Sequence, residues 1–126
     1  LTRVWHDVDK DPEANVAIIR GAGKAFCAGG DFSMVERLTQ DYERQTEALR
    51  EFRELVYNII NCSKVVVSAI HGSAVGAGLA TALMADVSIA AKSARLIDGH
   101  TRLGLAAGDH AAMIWPLLCG MAKAKY

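Results

Sequence analysis

The stretch DGHTRLGLAAGDH, residues 98–110, gathers Asp98, His100, Asp109 and His110 into one short span. Histidine changes charge near neutral pH and is the side chain best suited to carrying a proton there. His100 and Asp109 stand nine residues apart. If the intervening TRLGLAAG returns to one site, Asp109 orients the His100 imidazole and the pair does general acid–base chemistry. Plainer roles stay open beside this one. His100 also reads as a structural loop histidine, Asp109 as the N-cap of a helix beginning HAAMIW, and Asp98 as the residue closing a turn at Gly99.

Two glycine-bearing stretches supply the second kind of chemistry. FCAGGDFSMV (26–35) and GSAVGAGLATALMAD (72–86) each follow an apolar run and lead into a helical pattern. Glycine costs backbone entropy, so its use there suggests a backbone N–H that something must approach closely. Donors at the start of a helix favour negative charge. Neither a GxGxxG after a strand nor a GxxxxGK[ST] is present, so a dinucleotide or phosphate cradle is not indicated. Two loops offering one N–H each suit a single oxygen that becomes an oxyanion. Close helix packing explains Gly76 and Gly78 equally well.

The surrounding elements follow from periodicity. VAIIR (16–20) and KVVVSAI (64–70) read as buried parallel strands, DVSIAA (86–91) as a third and ARLID (94–98) as a fourth. DPEAN (11–15) is a turn fixed by Pro12. From Ser33 to Asn61 apolar residues recur at three- and four-residue steps, which predicts an amphipathic helix broken once near 40–45. Its alternating charges form a solvated face. SAVGAGLATALMA (73–85) reads as a loop entering a helix of small residues. DHAAMIWPLLCG reads as a short helix disturbed by Pro116 and ending at Gly120. Met113 and Trp115 read as core, and His71 as a turn residue. Strand and helix alternate, so the expected class is α/β with parallel strands.

Composition narrows the function. The 126 residues hold 14 basic and 14 acidic side chains, a formal net charge of +0, and 52% hydrophobic residues. A core is affordable in that composition, and the balance argues against nucleic acid or an anionic membrane as partner. Cys27, Cys62 and Cys119 show neither CxxC pairing nor metal-ligand spacing, which suggests small, mostly buried thiols in a reducing cytoplasm and no metal site. No apolar run reaches the ~20 residues of a membrane span, and no signal peptide is visible.

IIRGAGKAFCAGGDFSMV, followed by KVVVSAIHGSAVGAGLATALMADVSIAAKSARLIDGHTRLGLAAGD, resembles the crotonase superfamily, the enoyl-CoA hydratase/isomerase family, from about Val16 to Tyr126. The resemblance implies a crotonase-like α/β fold of repeated ββα units, with parallel sheets flanked by helices. It implies that residues 1–126 are a partial core domain, lacking an N-terminal strand region and a C-terminal helical region. It places the two oxyanion donors on the amides of Gly30 and Ala77, around a thioester carbonyl. Lys24, Ala25, Phe26 and Ala28 correspond to the segment lying against coenzyme A, which is part of the substrate and not a separate cofactor. Lys24 on its own also reads as a solvated side chain. The implied assembly is a homotrimer or a dimer of trimers.

The family pattern is also broken. Its hydratases use two glutamates, whose positions here hold Ala80 and His100. Alanine transfers no proton, so His100, with Asp109, is the expected carrier, and a single-base enolate reaction such as isomerisation fits better than hydration. A histidine followed nine residues later by aspartate, with WP soon after, is also similar to the 6-oxocamphor hydrolase branch, which cleaves cyclic β-diketones without coenzyme A. A third reading keeps the fold without catalysis, as an acyl-CoA- or RNA-binding module.

Overall fold

The computed structural model describes residues 1–126, with the side chains of Phe32 and Thr39 left aside. The chain runs through α1 (Thr2–Lys10), β1 (Val16–Arg20), α2 (Phe32–Gln40), α3 (Tyr42–Ile60), β2 (Val65–Ile70), β3 (Ser73–Val75), α4 (Ala77–Leu83), β4 (Val87–Ala90) and β5 (Arg95–Ile97). A 3₁₀ turn (Thr101–Leu103), a π turn (His110–Ile114), α5 (Trp115–Cys119) and α6 (Met121–Lys125) complete it.

β1, β2 and β4 form one parallel sheet with β2 in the centre. β3 and β5 form a second parallel pair. The α/β class expected from the sequence is therefore present. Each β-branched run became a strand, and each polar-capped amphipathic run became a helix. The 33–61 helix divides at Asp41, whose extended backbone (φ −131°, ψ 105°) ends α2. Its carboxylate then accepts hydrogen bonds from the Glu43 and Arg44 amides at the start of α3.

Two apolar clusters hold the layers together. Trp5 of α1, Ile59 of α3 and Val66 of β2 pack with Ala17, Ile19 and Leu55. Ile70, Ala74, Leu79 and Ala82 form the other, with Phe26 and Trp115 against it. These helices cover one face of the larger sheet. VAIIR is accordingly half-buried on alternate residues only: Ala17 and Ile19 are half-buried, whereas Ile18 is 67% exposed. The expected fully buried strand is thus half-buried, because period-two geometry sends every second side chain to the uncovered face.

Other differences are local. Residues 73–75 form a strand where a loop was expected, recruited by pairing with β5. α1 and α6 had no counterpart in the sequence reading. Trp5 explains α1: it is the residue of that helix that docks into the core. Met113 is exposed, unlike the core packing expected of it, while Trp115 joins the core. Cys119 is exposed and Cys27 and Cys62 are half-buried, so the thiols are free but less buried than expected.

Candidate active site

The first glycine loop is stitched to the second by backbone pairing. The Phe26 N–H donates to His71 O (2.8 Å), the Cys27 N–H to Ser73 O (3.0 Å) and the Val75 N–H to Cys27 O (3.1 Å). Cys27 and Ala74 thereby extend the β3–β5 sheet as a parallel bridge. His71 anchors the loop from its other side, its Nε2 2.9 Å from Gly23 O, which is the turn role expected of it.

This pairing sets Ala28-Gly29-Gly30 beside Val75-Gly76-Ala77. Gly29 has φ +100° and Gly76 φ +56°, conformations that side chains rarely adopt. These two reversals turn the chain immediately before Gly30 and Ala77. Gly30 and Ala77, together with His100, line one cavity of about 390 Å³. Ala77 is the first residue of α4, where a backbone N–H has no intrahelical acceptor. Both residues are exposed toward solvent, as donors to an incoming oxygen must be.

A second, larger cavity of about 720 Å³ opens on the other side of Ala77 and His100. Leu49, Phe52, Val56, Met84, Met113 and Ile114 give it an apolar lining, and Asp109 sits on its wall. Leu49 and Met113, which leave the hydrophobic core, therefore have a place facing this space. Ala77 and His100 are shared between the two cavities.

The TRLGLAAG segment does return. Asp98 lies 2.5 Å from His100 Nδ1 through Oδ1, and also accepts the His100 backbone N–H at 3.2 Å. Asp98 thus closes the expected turn and additionally holds the imidazole, a role that its position two residues before His100 made available. Asp109 Oδ2 lies 3.5 Å from His100 Nε2. That is too long for a firm hydrogen bond, so Nε2 is not locked away from a ligand. Asp109 makes no side-chain cap on the following turn, so its helix-cap reading fails. Instead its Oδ1 lies 2.8 Å from His110 Nδ1.

His110 is fully buried. It stands edge-on to Trp115, with ring centroids 5.4 Å apart, and is tilted against His100 at 5.6 Å. It begins a π turn, a form concentrated at functional sites. The two carboxylates respond to these rings. Burial raises the Asp98 carboxyl, but hydrogen bonds from His100 and the charges of His100 and His110 outweigh it and hold the group below the usual range. Burial likewise raises Asp109, and the His110 contact with the charges of both rings brings it down overall. Both carboxylates are therefore ionised beside the imidazoles at neutral pH.

The remaining candidates lie along the first loop. Lys24 is exposed. Ala25 is half-buried and Ala28 exposed at the rim of the smaller cavity. Phe26 turns inward against the core cluster of Ile70, Ala74, Leu79 and Ala82. Ala80 is completely buried in α4. Among the described residues no helix is long and apolar enough to cross a membrane.

Comparison with known proteins shows the family. The enoyl-CoA hydratase/isomerase family model matches residues 1–126. A probable enoyl-CoA hydratase of Rhodobacter capsulatus is 36% identical over 112 residues, covering 89% of this chain and 43% of the relative. A 1,2-epoxyphenylacetyl-CoA isomerase of Escherichia coli is 31% identical over 126 residues, covering 98% and 48%. The crystal structure of an enoyl-CoA hydratase/isomerase from Mycobacterium paratuberculosis superposes with a TM-score of 0.90 at 38% identity, over 98% of this chain and 50% of that one. The chain spans about half the length of the relatives it matches. Its crotonase fold, its paired loops and its match along the whole sequence have one reading: the chain belongs to the enoyl-CoA hydratase/isomerase family.

Proposed function

We propose that this protein acts on an acyl-CoA thioester through an enolate, moving one proton between carbons of the acyl chain. The observation that carries this reading is the shared wall: Ala77 and His100 border both the smaller cavity, which Gly30 also lines, and the larger apolar one. A thioester carbonyl held by the Gly30 and Ala77 amides would place its acyl chain past His100 into the apolar space. His100 Nε2 would take a proton from a carbon activated by the carbonyl. The charge would collect on the oxygen facing the two amides, where fixed donors stabilise it most. Asp98 at Nδ1 would stabilise the imidazolium, and Nε2 would return the proton to another carbon of the enolate. The atoms balance as an isomerisation, with no water added.

Ala80 supports isomerisation over hydration, since hydration in this family's manner needs a second acid–base group there. Lys24, Ala25, Phe26 and Ala28 would accompany the coenzyme A portion. A cytoplasmic, trimeric protein without a nucleic-acid partner completes the reading. The 3.5 Å approach of Asp109 to His100 favours one second reading, a coenzyme A-independent hydrolase of cyclic β-diketones.

The test is conversion of a 3-enoyl-CoA to the conjugated 2-enoyl thioester, followed by the gain in enone absorbance. Beside it runs the loss of that absorbance from crotonyl-CoA, and the wild type is compared with His100→Ala. A gain that collapses in the variant supports the proposal. Turnover of a cyclic β-diketone with none of any acyl-CoA would transfer the assignment to the second reading.

A further inference from the structure

We propose that Asp98, His100 and His110 form a binding site for a divalent transition-metal ion of the zinc type. Three residues converge: one ligand atom from each of Asp98, His100 and His110 lies within 4.8 Å of the others, with Asp98 Oδ1 facing both His100 Nδ1 and His110 Nε2. Two imidazoles and one carboxylate are a donor set suited to zinc, cobalt or nickel. Zinc bonds to such ligands at about 2.0–2.2 Å, which sets neighbouring ligand atoms roughly 3.3 Å apart in a tetrahedral site. The observed separations of 2.5 Å (Asp98 to His100) and 3.8 Å (Asp98 to His110) bracket that value. Small side-chain rotations would therefore complete the geometry.

An independent observation points to a ligand. His110 is completely buried, yet its Nε2 makes no hydrogen bond within the protein, and the Asp98 Oδ1 that faces it stands 3.8 Å away. A buried polar group left without a partner costs about 1–3 kcal/mol and requires an explanation. An ion on Nε2 supplies the missing partner there. Asp109 explains the other nitrogen. Its Oδ1 is 2.8 Å from His110 Nδ1, in a bent contact that becomes a hydrogen bond once Nδ1 carries the proton and the ring shifts. A carboxylate behind a ligating histidine is the arrangement that fixes the tautomer and sharpens the metal-binding nitrogen. These residues share one short span of sequence, but their spacing alone does not show that three of them converge; the return of the intervening segment does that.

The site has a consequence that rests on the proposed function. An ion on His100 Nδ1 takes the lone pair that a proton would occupy, and leaves the proton on Nε2. Metal-bound His100 is then no base, so the ion inhibits.

The experiment is titration of the purified, chelator-treated protein, free of any affinity tag, with Co²⁺ followed in the visible range. Expected is a saturable ligand-field absorption at one ion per chain that Zn²⁺ displaces. His110→Gln and Asp98→Asn should each weaken binding by at least tenfold, and Asp109→Asn by about 10- to 100-fold. Asp98→Asn, at a half-buried position, carries the comparison if His110→Gln does not fold, as judged by circular dichroism. No saturable absorption in the wild type overturns the proposal, as does wild-type affinity in folded Asp98→Asn. Binding without inhibition would leave the site standing and count against His100 as the proton carrier.

Discussion

Cys27 packs so closely on Gly78 that a Cβ on the glycine would overlap both Cβ and Sγ of the cysteine. The contact joins the loop carrying Gly30 to the helix carrying Ala77, and fixes how near the two proposed donors stand.

Gly78→Ala should therefore destabilise the fold by about 1–3 kcal/mol, the usual cost of overpacking, although alanine is the better helix former. Cys27→Gly removes both overlapping atoms. In the double variant a substantial part of the loss should return, giving a coupling energy of about 0.5 kcal/mol or more in denaturant titrations. Strict additivity of the two changes would show that the contact does not constrain the loops.

Ala77→Pro isolates one donor. Proline lacks the N–H but suits the first turn of a helix, so α4 should form as before. Turnover should fall about 100- to 1,000-fold, with circular dichroism and melting temperature nearly unchanged. An unaltered rate in the folded variant removes Ala77 from the oxyanion hole.

His100→Gln should lower kcat by about 100- to 10,000-fold, with a much smaller change in KM, because the imidazole is asked to act on the transition state. Asp98→Asn should lower kcat less and alter the pH–rate profile, since Asp98 acts through His100. Equal changes in KM and kcat for both variants would point to substrate binding instead.

Asp9 at the end of α1 accepts the Ser63 backbone N–H at 2.5 Å. This bond, with the Ser63 side chain, lowers its carboxyl below the usual 3.8. A depressed folded-state value means that the contribution to stability is complete above the unfolded value. It is lost as pH falls through the folded one. The α1 contact should loosen only below about pH 4, and Asp9→Asn should abolish that acid-sensitive part. Trp5 fluorescence against pH reads it, and an identical acid profile in the variant would falsify the assignment.

Much of this molecule was legible in the residues. The strands at Val16, Val65, Val87 and Arg95 announced themselves by β-branched runs, and the helix break fell at Asp41, a capping residue. The two glycine loops pointed to each other, and the fold does bring Gly30 and Ala77 to one cavity. Periodicity could not say that one sheet face lacks a helical cover, because Ile18 and Ile19 are equally apolar. It also gave Asp98 only a turn. Its second role depends on how the His100 ring is turned, and the groups around that ring, Asp109 and His110, reach it only because the 101–108 segment returns. His110 was visible as a histidine, but nothing local foretold its complete burial beneath Trp115.

The bridge between Cys27 and Ala74 spans 47 residues of chain (74 − 27) and joins segments separated by two helices. Closing so long a loop precedes any reward from the contacts it makes, and such non-local pairings slow folding. The two loops that line the smaller cavity therefore meet only through a long-range pairing. A partly folded chain can present its helices and a β-strand before that pairing forms, so the shared cavity wall reports completion of the fold.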